Sequence, residues 1–159
     1  MSSPGDFTAT LPRKRMGAGV LLSDLAGRAL LVEPTYKSYW EIPGGCVEAD
    51  ESPYAAATRE LKEELGLPVT PGRLLVLDWV PPRPERTEGV MVIYDGGVLG
   101  PEQTRQIQVP PDELSSWAWC TVEEAGQRLS ELLTRRLTAA IRARAEGTTA
   151  YLENGFFVA

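Results

Sequence analysis

The chain has 159 residues, of which 43% are hydrophobic and 24% are charged, and its formal net charge is −6. This length and composition are typical of one globular domain rather than of a fibrous or disordered chain. The negative charge argues against a protein that coats a nucleic-acid polymer, because such proteins normally present a basic surface. We therefore expect no nucleic-acid polymer among its partners.

The numbers of cysteine and histidine residues limit the expected cellular location and the possible catalytic groups. Cys46 and Cys120 are too few for a disulfide framework, so a reducing, cytoplasmic location is expected. No apolar run approaches the roughly 18 residues that span a membrane, and no signal peptide is visible. Because the chain lacks histidine, acid–base chemistry must use carboxylates, metal-bound water, tyrosine, lysine or cysteine. Arginine outnumbers lysine, and alanine, glycine and proline are abundant, which suggests a bacterial source with a GC-rich genome.

The N-terminal part of the chain predicts a tail followed by a hairpin. Residues 1–12 are small, polar and proline-containing, so we expect them to be loosely ordered. A single domain is expected over residues 13–159. Two apolar runs, 15–22 and 29–33, predict the two strands of a β-hairpin.

A short strand and a helix follow the hairpin. The strand, 39–42, leads into a glycine-rich turn at 43–45. Ser52 is a good N-cap, and Pro53 suits the first helical position, where no N–H donor is needed. Gly66 supplies the left-handed residue that commonly ends a helix. The sequence therefore predicts a helix that begins after Ser52 and ends before Gly66.

The predicted helix carries an apolar stripe and an acidic stripe. The apolar stripe, which must face a core, consists of Tyr54, Ala57, Leu61 and Leu65. Glu60, Glu63 and Glu64 share a neighbouring stripe, and each like-charged pair destabilises a helix by roughly 0.2–0.5 kcal/mol. A divalent cation such as Mg²⁺ would relieve this repulsion, since hard oxygen ligands suit it. The alternative is a solvated acidic face in which Arg59 pairs with Glu63.

The rest of the chain predicts three more strands and two helices. Strands over 74–80 and 89–94 form an apolar pair, and 116–120 is expected to be the last strand. The helices cover 122–126 and 131–145. The second helix directs inward Leu132, Leu133, Leu137, Ala140 and Ile141. The apolar residues 156–158 predict packing against the domain or against a second copy in a homodimer.

One motif spans the predicted helix and the turn before it. Gly45 is followed after five residues by Glu51 and, after seven more, by the sequence RELKEELGL at 59–67. This pattern resembles the Nudix box at every defining position: glycine, five residues, glutamate, seven residues, then Arg-Glu-aliphatic-x-Glu-Glu-x-Gly-aliphatic. The resemblance implies an α/β/α sandwich around a mixed sheet. It also implies Mg²⁺-dependent hydrolysis of a diphosphate that is linked to another group.

The resemblance assigns roles to individual residues. It implies that Glu63 and Glu64 are metal ligands and that Glu60 is a further ligand or the general base. The carbonyl of Gly44, just before the box, resembles a backbone ligand of some family members, and Arg59 would orient a glutamate. The implied cofactor is Mg²⁺, with Mn²⁺ as a second choice.

Residues outside the box are candidates for substrate binding and catalysis. Arg83 and Arg86 lie on a proline-rich loop and offer forked donors to phosphate, although a stiff exposed loop is the competing interpretation. Trp40 would stack on a base or pack in the core. Glu113 lies where many members of the Nudix family place an extra catalytic or metal-binding glutamate. A solvated turn or a helix cap is the alternative for Glu113.

Two functional classes remain open. The first is a hydrolase that cleaves the diphosphate linkage of a nucleoside diphosphate joined to another moiety, such as an ADP-ribose-like compound or a nucleoside triphosphate. The second is a catalytically silent Nudix-fold domain that binds a nucleotide without cleaving it. Silent domains of this kind usually lack box glutamates. Because this box is complete, the sequence favours the enzyme.

Overall fold

The computed structural model describes residues 4–158, which form a mixed sheet of eight strands flanked by helices. The strands are β1 (Arg15–Ser23), β2 (Ala29–Pro34), β3 (Gly44–Cys46), β4 (Leu74–Val80), β5 (Gly89–Val98), β6 (Leu114–Cys120), β7 (Ala150–Glu153) and β8 (Phe156–Phe157). The helices are α1 (Pro4–Ala9), α2 (Pro53–Leu65), α3 (Pro101–Thr104), α4 (Val122–Arg128) and α5 (Glu131–Glu146). The predicted α/β fold class is confirmed.

The sheet brings together strands that are distant in the chain. Its order is β6-β2-β1-β5-β4-β7-β8, and β3 pairs with β1 outside that path. β1 and β2 form the predicted antiparallel hairpin, whereas β1 pairs with β5, and β4 with β7, in parallel. Parallel neighbours require a long connection, and α2 lies within the connection from β1 to β5.

Two buried clusters cover the two faces of the sheet. α2 contributes Ala57, Leu61 and Leu65 to one cluster, and α5 contributes Leu137 and Ala140 to the other. Successive residues of β1 alternate between the clusters, as expected for side chains that point to opposite faces of a strand. A helix layer therefore lies on each side of the sheet, as the resemblance implies.

The helix predicted from its caps is confirmed as α2. Ser52 Oγ accepts a hydrogen bond from the Ala55 N–H at 3.0 Å, and Pro53 occupies the first turn. Gly66 adopts a φ of 69° and donates to a carbonyl four residues earlier at 3.0 Å. The predicted burial of Tyr54 is wrong, since this residue is 40% exposed. Its ring packs edge-on against Tyr94, and its hydroxyl donates to the Pro71 carbonyl, beyond the helix, at 2.5 Å.

The predicted strand at 39–42 is wrong. Within this segment Glu41 pairs with Val32 as an isolated bridge, and the strand forms later, as β3, where a turn was expected. Gly44 has a φ of 149°, and an added Cβ would lie 2.2 Å from the Ala18 carbonyl oxygen of β1. Glycine permits this backbone conformation and this close approach.

The N-terminal segment that was expected to be loosely ordered contains α1. Residues 5–9 of this helix are all exposed, and residues 1–3 lie outside the described residues. Among residues 4–158, no helix is both long enough and apolar enough to cross a membrane.

The C-terminal end contains two strands that the sequence did not predict. Residues 116–120 lie within β6, but β7 and β8 follow α5, so this segment is not the last strand. Phe156 and Phe157 are exposed, and the guanidinium groups of Arg135 and Arg142 lie 4.0 and 5.1 Å from their rings. The two phenylalanines thus pack against charged groups of α5 rather than in the core, and the homodimer stays a prediction.

Candidate active site

A cavity of about 640 Å³ lies where α2, β1, β3, β5 and α5 meet. Among the described residues, its walls carry side chains of both charge signs. The carboxylates are those of Glu41, Glu60, Glu64 and Glu113, and the cations are Arg15, Lys37 and Arg136. Such a cavity suits a ligand that combines a metal cation with anionic groups.

β3 and α2 together place Glu60 and Glu64 in the cavity. The two residues are one helical turn apart and therefore share a face of α2. Glu64 is 6% exposed, and its Oε1 accepts a hydrogen bond from the Gly44 N–H at 2.7 Å. At Gly45, an added Cβ would lie 2.5 Å from the Glu60 carboxyl carbon. The two glycines thus allow the backbone of β3 to lie directly against both carboxylates.

Burial dominates the electrostatics of Glu64. Loss of hydration raises the pKa of Glu64 to about 8, against the opposing effect of the Gly44 N–H. The negative charges of Glu60, Glu41 and Glu113 raise this pKa as well. Such a carboxyl group binds a proton near neutral pH, or a cation in place of the proton.

Arg59 organises the acidic stripe of α2. Its Nε and Nη2 donate to the two carboxylate oxygens of Glu51 at 2.8 and 2.9 Å, which holds the pKa of Glu51 down at about 2. Its Nη1 donates to Glu60 Oε1 at 2.9 Å. Burial raises the pKa of Glu60, and Arg59 opposes that rise. The contact from Arg59 to Glu63 is longer, at 3.3 Å.

Glu63, predicted as a metal ligand, shares the Arg59 guanidinium with Glu60 but points away from the cavity. Its side chain is 54% exposed, and it does not line the cavity. Within residues 4–158, no three acidic, cysteine or histidine side chains are grouped closely enough to form a ready-made metal site. The donor chemistry nevertheless fits a divalent cation such as Mg²⁺, because Glu60, Glu64 and Gly44 bring hard oxygen atoms to one cavity.

Glu113 reaches the same cavity from a distant part of the chain. It belongs to the turn before β6, where its carbonyl accepts the Thr35 N–H at 2.9 Å. Its carboxylate lines the cavity, and its charge raises the pKa of Glu64 and of Glu60. The backbone of Glu113 therefore forms a turn, while its side chain lines the same cavity as Glu60 and Glu64. Its catalytic role stays a prediction.

The three predicted substrate-binding residues lie outside the cavity lining. Arg83 and Arg86 exchange backbone hydrogen bonds of 2.8 and 3.1 Å in the exposed loop between β4 and β5. Trp40 packs against a buried cluster, and an arginine guanidinium lies 4.4 Å from its ring. Their roles in substrate binding stay predictions.

Four charged residues of the cavity were missed from the sequence. They are Arg15, Lys37, Glu41 and Arg136. Arg136 carries a recognisable signal, because it lies one turn after Leu132 on the apolar face of α5, where an arginine is unusual. Lys37 and Glu41 form an ion pair with each other. Arg15 stands at the start of a strand and has no such signal.

The sequence-family model of the NUDIX domain matches this chain over residues 13–141. The chain belongs to the Nudix hydrolase family. This membership confirms the resemblance drawn from the box, and the matched region extends well beyond the box, from the segment before β1 into α5.

Relatives of this Nudix hydrolase cover most of its length. Phosphatase NudJ of Escherichia coli strain K12 is 30% identical over 130 residues, which are 80% of this chain and 81% of NudJ. A MutT-like protein of Streptomyces ambofaciens is 27% identical over 141 residues, which are 89% of this chain and 85% of that protein. The crystal structure of a MutT protein from Methanosarcina mazei Go1 has a TM-score of 0.68 at 20% identity, covering 87% of this chain and 99% of that one. The structural likeness confirms the fold.

Proposed function

We propose that this Nudix hydrolase uses Mg²⁺ to cleave the diphosphate linkage of a nucleoside diphosphate joined to another moiety. The observation that carries the proposal is that Glu60 and the buried Glu64 share one cavity within a complete Nudix box. The relative NudJ is named a phosphatase, which agrees with action on a phosphate-containing substrate. An ADP-ribose-like compound or a nucleoside triphosphate is the proposed substrate.

The proposed metal ligands are Glu60, Glu63, Glu64 and the Gly44 carbonyl. A bound Mg²⁺, or Mn²⁺ in its place, would neutralise the diphosphate oxygens and lower the pKa of a water molecule. Glu64 suits this role because burial raises the pKa of its carboxyl group, so that a cation competes with a proton for it. The Gly44 N–H fixes the orientation of Glu64. Glu63 belongs to the set through its place in the box, although it contacts Arg59 here.

Glu60 and Glu113 are the two candidates for the group that accepts the proton of the attacking water. The hydrogen bond from Arg59 fixes Glu60 and favours its charged form. The carboxylate of Glu113 makes no hydrogen bond or ion pair with another described residue, so it is available to accept a proton. Glu113→Gln distinguishes the candidates, because loss of the general base should lower kcat by about 10²-fold or more, whereas Glu60 is also a proposed metal ligand.

The proposed setting is the cytoplasm. Cys46 and Cys120 are both free thiols, as expected in a reducing compartment. The proposed partner is a small, phosphorylated molecule rather than a polymer.

A product assay tests the proposed function. Purified protein is incubated with Mg²⁺ and separate pools of dNTPs, ADP-ribose, nucleotide sugars and dinucleotides, and products are identified by mass spectrometry. We expect one pool to yield a monophosphate and its complement, and EDTA to abolish the reaction. Glu64→Gln should lower turnover by about 10²-fold or more with the fold intact. Glu123→Gln, which removes an exposed carboxylate from α4, should keep full turnover.

Two results would contradict this assignment. Near-normal Mg²⁺-dependent turnover in Glu64→Gln would show that the reaction does not require the Glu64 carboxylate. Silence across all pools would favour the nucleotide-binding domain that does not cleave its ligand.

A further inference from the structure

Arg136 is a buried cation in the wall of the cavity, although it lies outside the Nudix box. It is 7% exposed, and its Nε donates to Asp78 Oδ2 at 2.8 Å. Asp78 is fully buried, and its other carboxylate oxygen accepts the Gly155 N–H at 3.0 Å. The Asp78 carboxylate therefore holds the Arg136 guanidinium in place, and the backbone N–H of Gly155 holds that carboxylate.

The remaining N–H groups of Arg136 are available to a ligand. A guanidinium has five N–H donors, and the Nε group alone makes a hydrogen bond to another described residue. Among residues 4–158, Arg144 Nη1 is the one side-chain nitrogen or oxygen that is both fully buried and without a hydrogen-bond partner. The two Nη nitrogens of Arg136 have no partner among these residues either, so they are not fully buried and can be reached from the cavity. Donors that are fixed in this way and open to a cavity are well suited to bind an anionic acceptor.

Further guanidinium groups lie close to Arg136. Arg15 lines the same cavity and donates to the Thr87 carbonyl at 2.9 and 3.1 Å, an interaction that leaves its charge uncompensated. Partial burial lowers the pKa of Arg86, and the guanidiniums of Arg83, Arg15 and Arg136 lower it further, whereas the Glu85 carboxylate opposes this shift. Among the ion pairs of the described residues, none involves Arg15, Arg83 or Arg86.

Arg136 and the box glutamates reach the cavity from different layers of the fold. Glu60 and Glu64 come from α2 on one face of the sheet, whereas Arg136 comes from α5 on the other. The protein has a net charge of −6, yet this group of arginines is bonded to a single carboxylate, that of Asp78. A metal-bound diphosphate would occupy the acidic side of the cavity. The positive charge on the other side is left for a second anionic group.

We propose that Arg136, together with Arg15, binds a phosphate monoester that the substrate carries in addition to its diphosphate. Preferred substrates are then nucleoside diphosphate derivatives that carry an additional phosphate monoester. A phosphate dianion matches both the forked donors and the excess positive charge. The proposal rests on the proposed function and narrows its substrate class. Arg136 acts as a specificity-determining residue, and the hydrolysis belongs to the box glutamates.

Two matched substrate pairs test this assignment. They are ADP-ribose against ADP-ribose 2′-phosphate and dephospho-coenzyme A against coenzyme A, and the members of each pair differ by one phosphate monoester. With Mg²⁺, we expect kcat/KM to be roughly 10-fold or more higher for the phosphorylated member of at least one pair. Hydrolysis with equal kcat/KM in both pairs would overturn the substrate class while leaving the proposed function standing.

Three variants connect the preference to the arginines. Arg136→Lys keeps a positive charge beside Asp78 but removes the forked donors, and we expect it to raise KM selectively for the phosphorylated member. Arg15→Met removes a cation without breaking a buried pair and should do the same, so it serves if Arg136→Lys does not fold. Arg142→Met removes an exposed guanidinium from the same helix and should change nothing. A preference that survives in both Arg136→Lys and Arg15→Met would overturn the assignment.

A binding measurement covers the case in which no substrate is hydrolysed. That result would contradict the proposed function, and calorimetry with the same ligand pairs would then test the phosphate site alone. Tighter binding of a phosphorylated member, weakened in Arg15→Met, would support the site. Equal dissociation constants within both pairs would refute it.

Discussion

Replacement of Glu64 by glutamine should stabilise the metal-free protein at alkaline pH, although it should also abolish activity. Burial raises the pKa of Glu64 from an ordinary value of 4.5 to about 8 in the folded state. Between these values the folded protein binds a proton that the unfolded chain has released. The free energy of unfolding therefore falls as the pH rises through this window. Glutamine has nearly the same shape, stays neutral and can still accept the Gly44 N–H.

The magnitude follows from the difference between the two pKa values. At about 1.36 kcal/mol per pKa unit, the destabilisation of the wild-type protein at pH 8 has an upper limit of about 4 kcal/mol. Water that reaches the carboxylate in the cavity reduces this penalty. We expect Glu64→Gln to recover about 1–4 kcal/mol at pH 8 and almost nothing near the unfolded pKa.

Urea unfolding followed by circular dichroism in EDTA, at about pH 5 and about pH 8, measures the effect. The quantity of interest is the free energy of unfolding of Glu64→Gln minus that of the wild type, which should increase with pH. Glu123→Gln, with its exposed carboxylate on α4, should show no such increase. Mg²⁺ should stabilise the wild type more than Glu64→Gln, because this carboxylate is a proposed ligand of the metal in the folded state. A difference that stays constant with pH would refute the reasoning.

Three further predictions concern the glycines of β3 and the β4–β5 loop. Gly45→Ala should lower kcat at least roughly 10-fold with the fold intact, because the new Cβ would lie 2.5 Å from the Glu60 carboxyl carbon and displace it. Unchanged steady-state kinetics would contradict that contact. Gly44→Ala should lower the Tm by roughly 5 °C or more, because its Cβ would meet the backbone of β1 at 2.2 Å. A wild-type Tm in calorimetry would show that β3 tolerates a side chain. Arg83→Ala should raise KM with kcat unchanged if the loop holds a phosphate, and an unchanged KM would leave the loop a surface element.

Helix α2 could be predicted because all of its signals are local. Ser52 and Gly66 mark its ends, and the three box glutamates repeat at helical spacing between them. The structure keeps these ends and places two of those glutamates in the cavity. Tyr54 shows the limit of this reasoning, because it lies on the predicted apolar stripe and yet is 40% exposed.

Contacts between distant parts of the chain account for what the sequence could not predict. β3 exists because Gly44 pairs with Gly19 of β1, yet a Pro-Gly-Gly stretch is locally typical of a turn. Arg136 reaches the cavity because α5 docks on β4, whose Asp78 supplies the buried partner. Neither partner, Gly19 for Gly44 or Asp78 for Arg136, can be identified from the residues that are adjacent in sequence. The acidic side of the cavity is thus largely local in sequence, whereas the cationic side depends on the completed fold.

The parallel pairing of β1 with β5 sets the order in which the cavity can assemble during folding. Arg15 lies opposite Gly89, so this contact must close a long loop, and contacts between distant segments form slowly. The local signals of α2 can act before that loop closes, when the walls from β5 and α5 are still absent. A nascent chain that has already produced the whole Nudix box therefore still lacks the cavity that the box glutamates line in the folded protein.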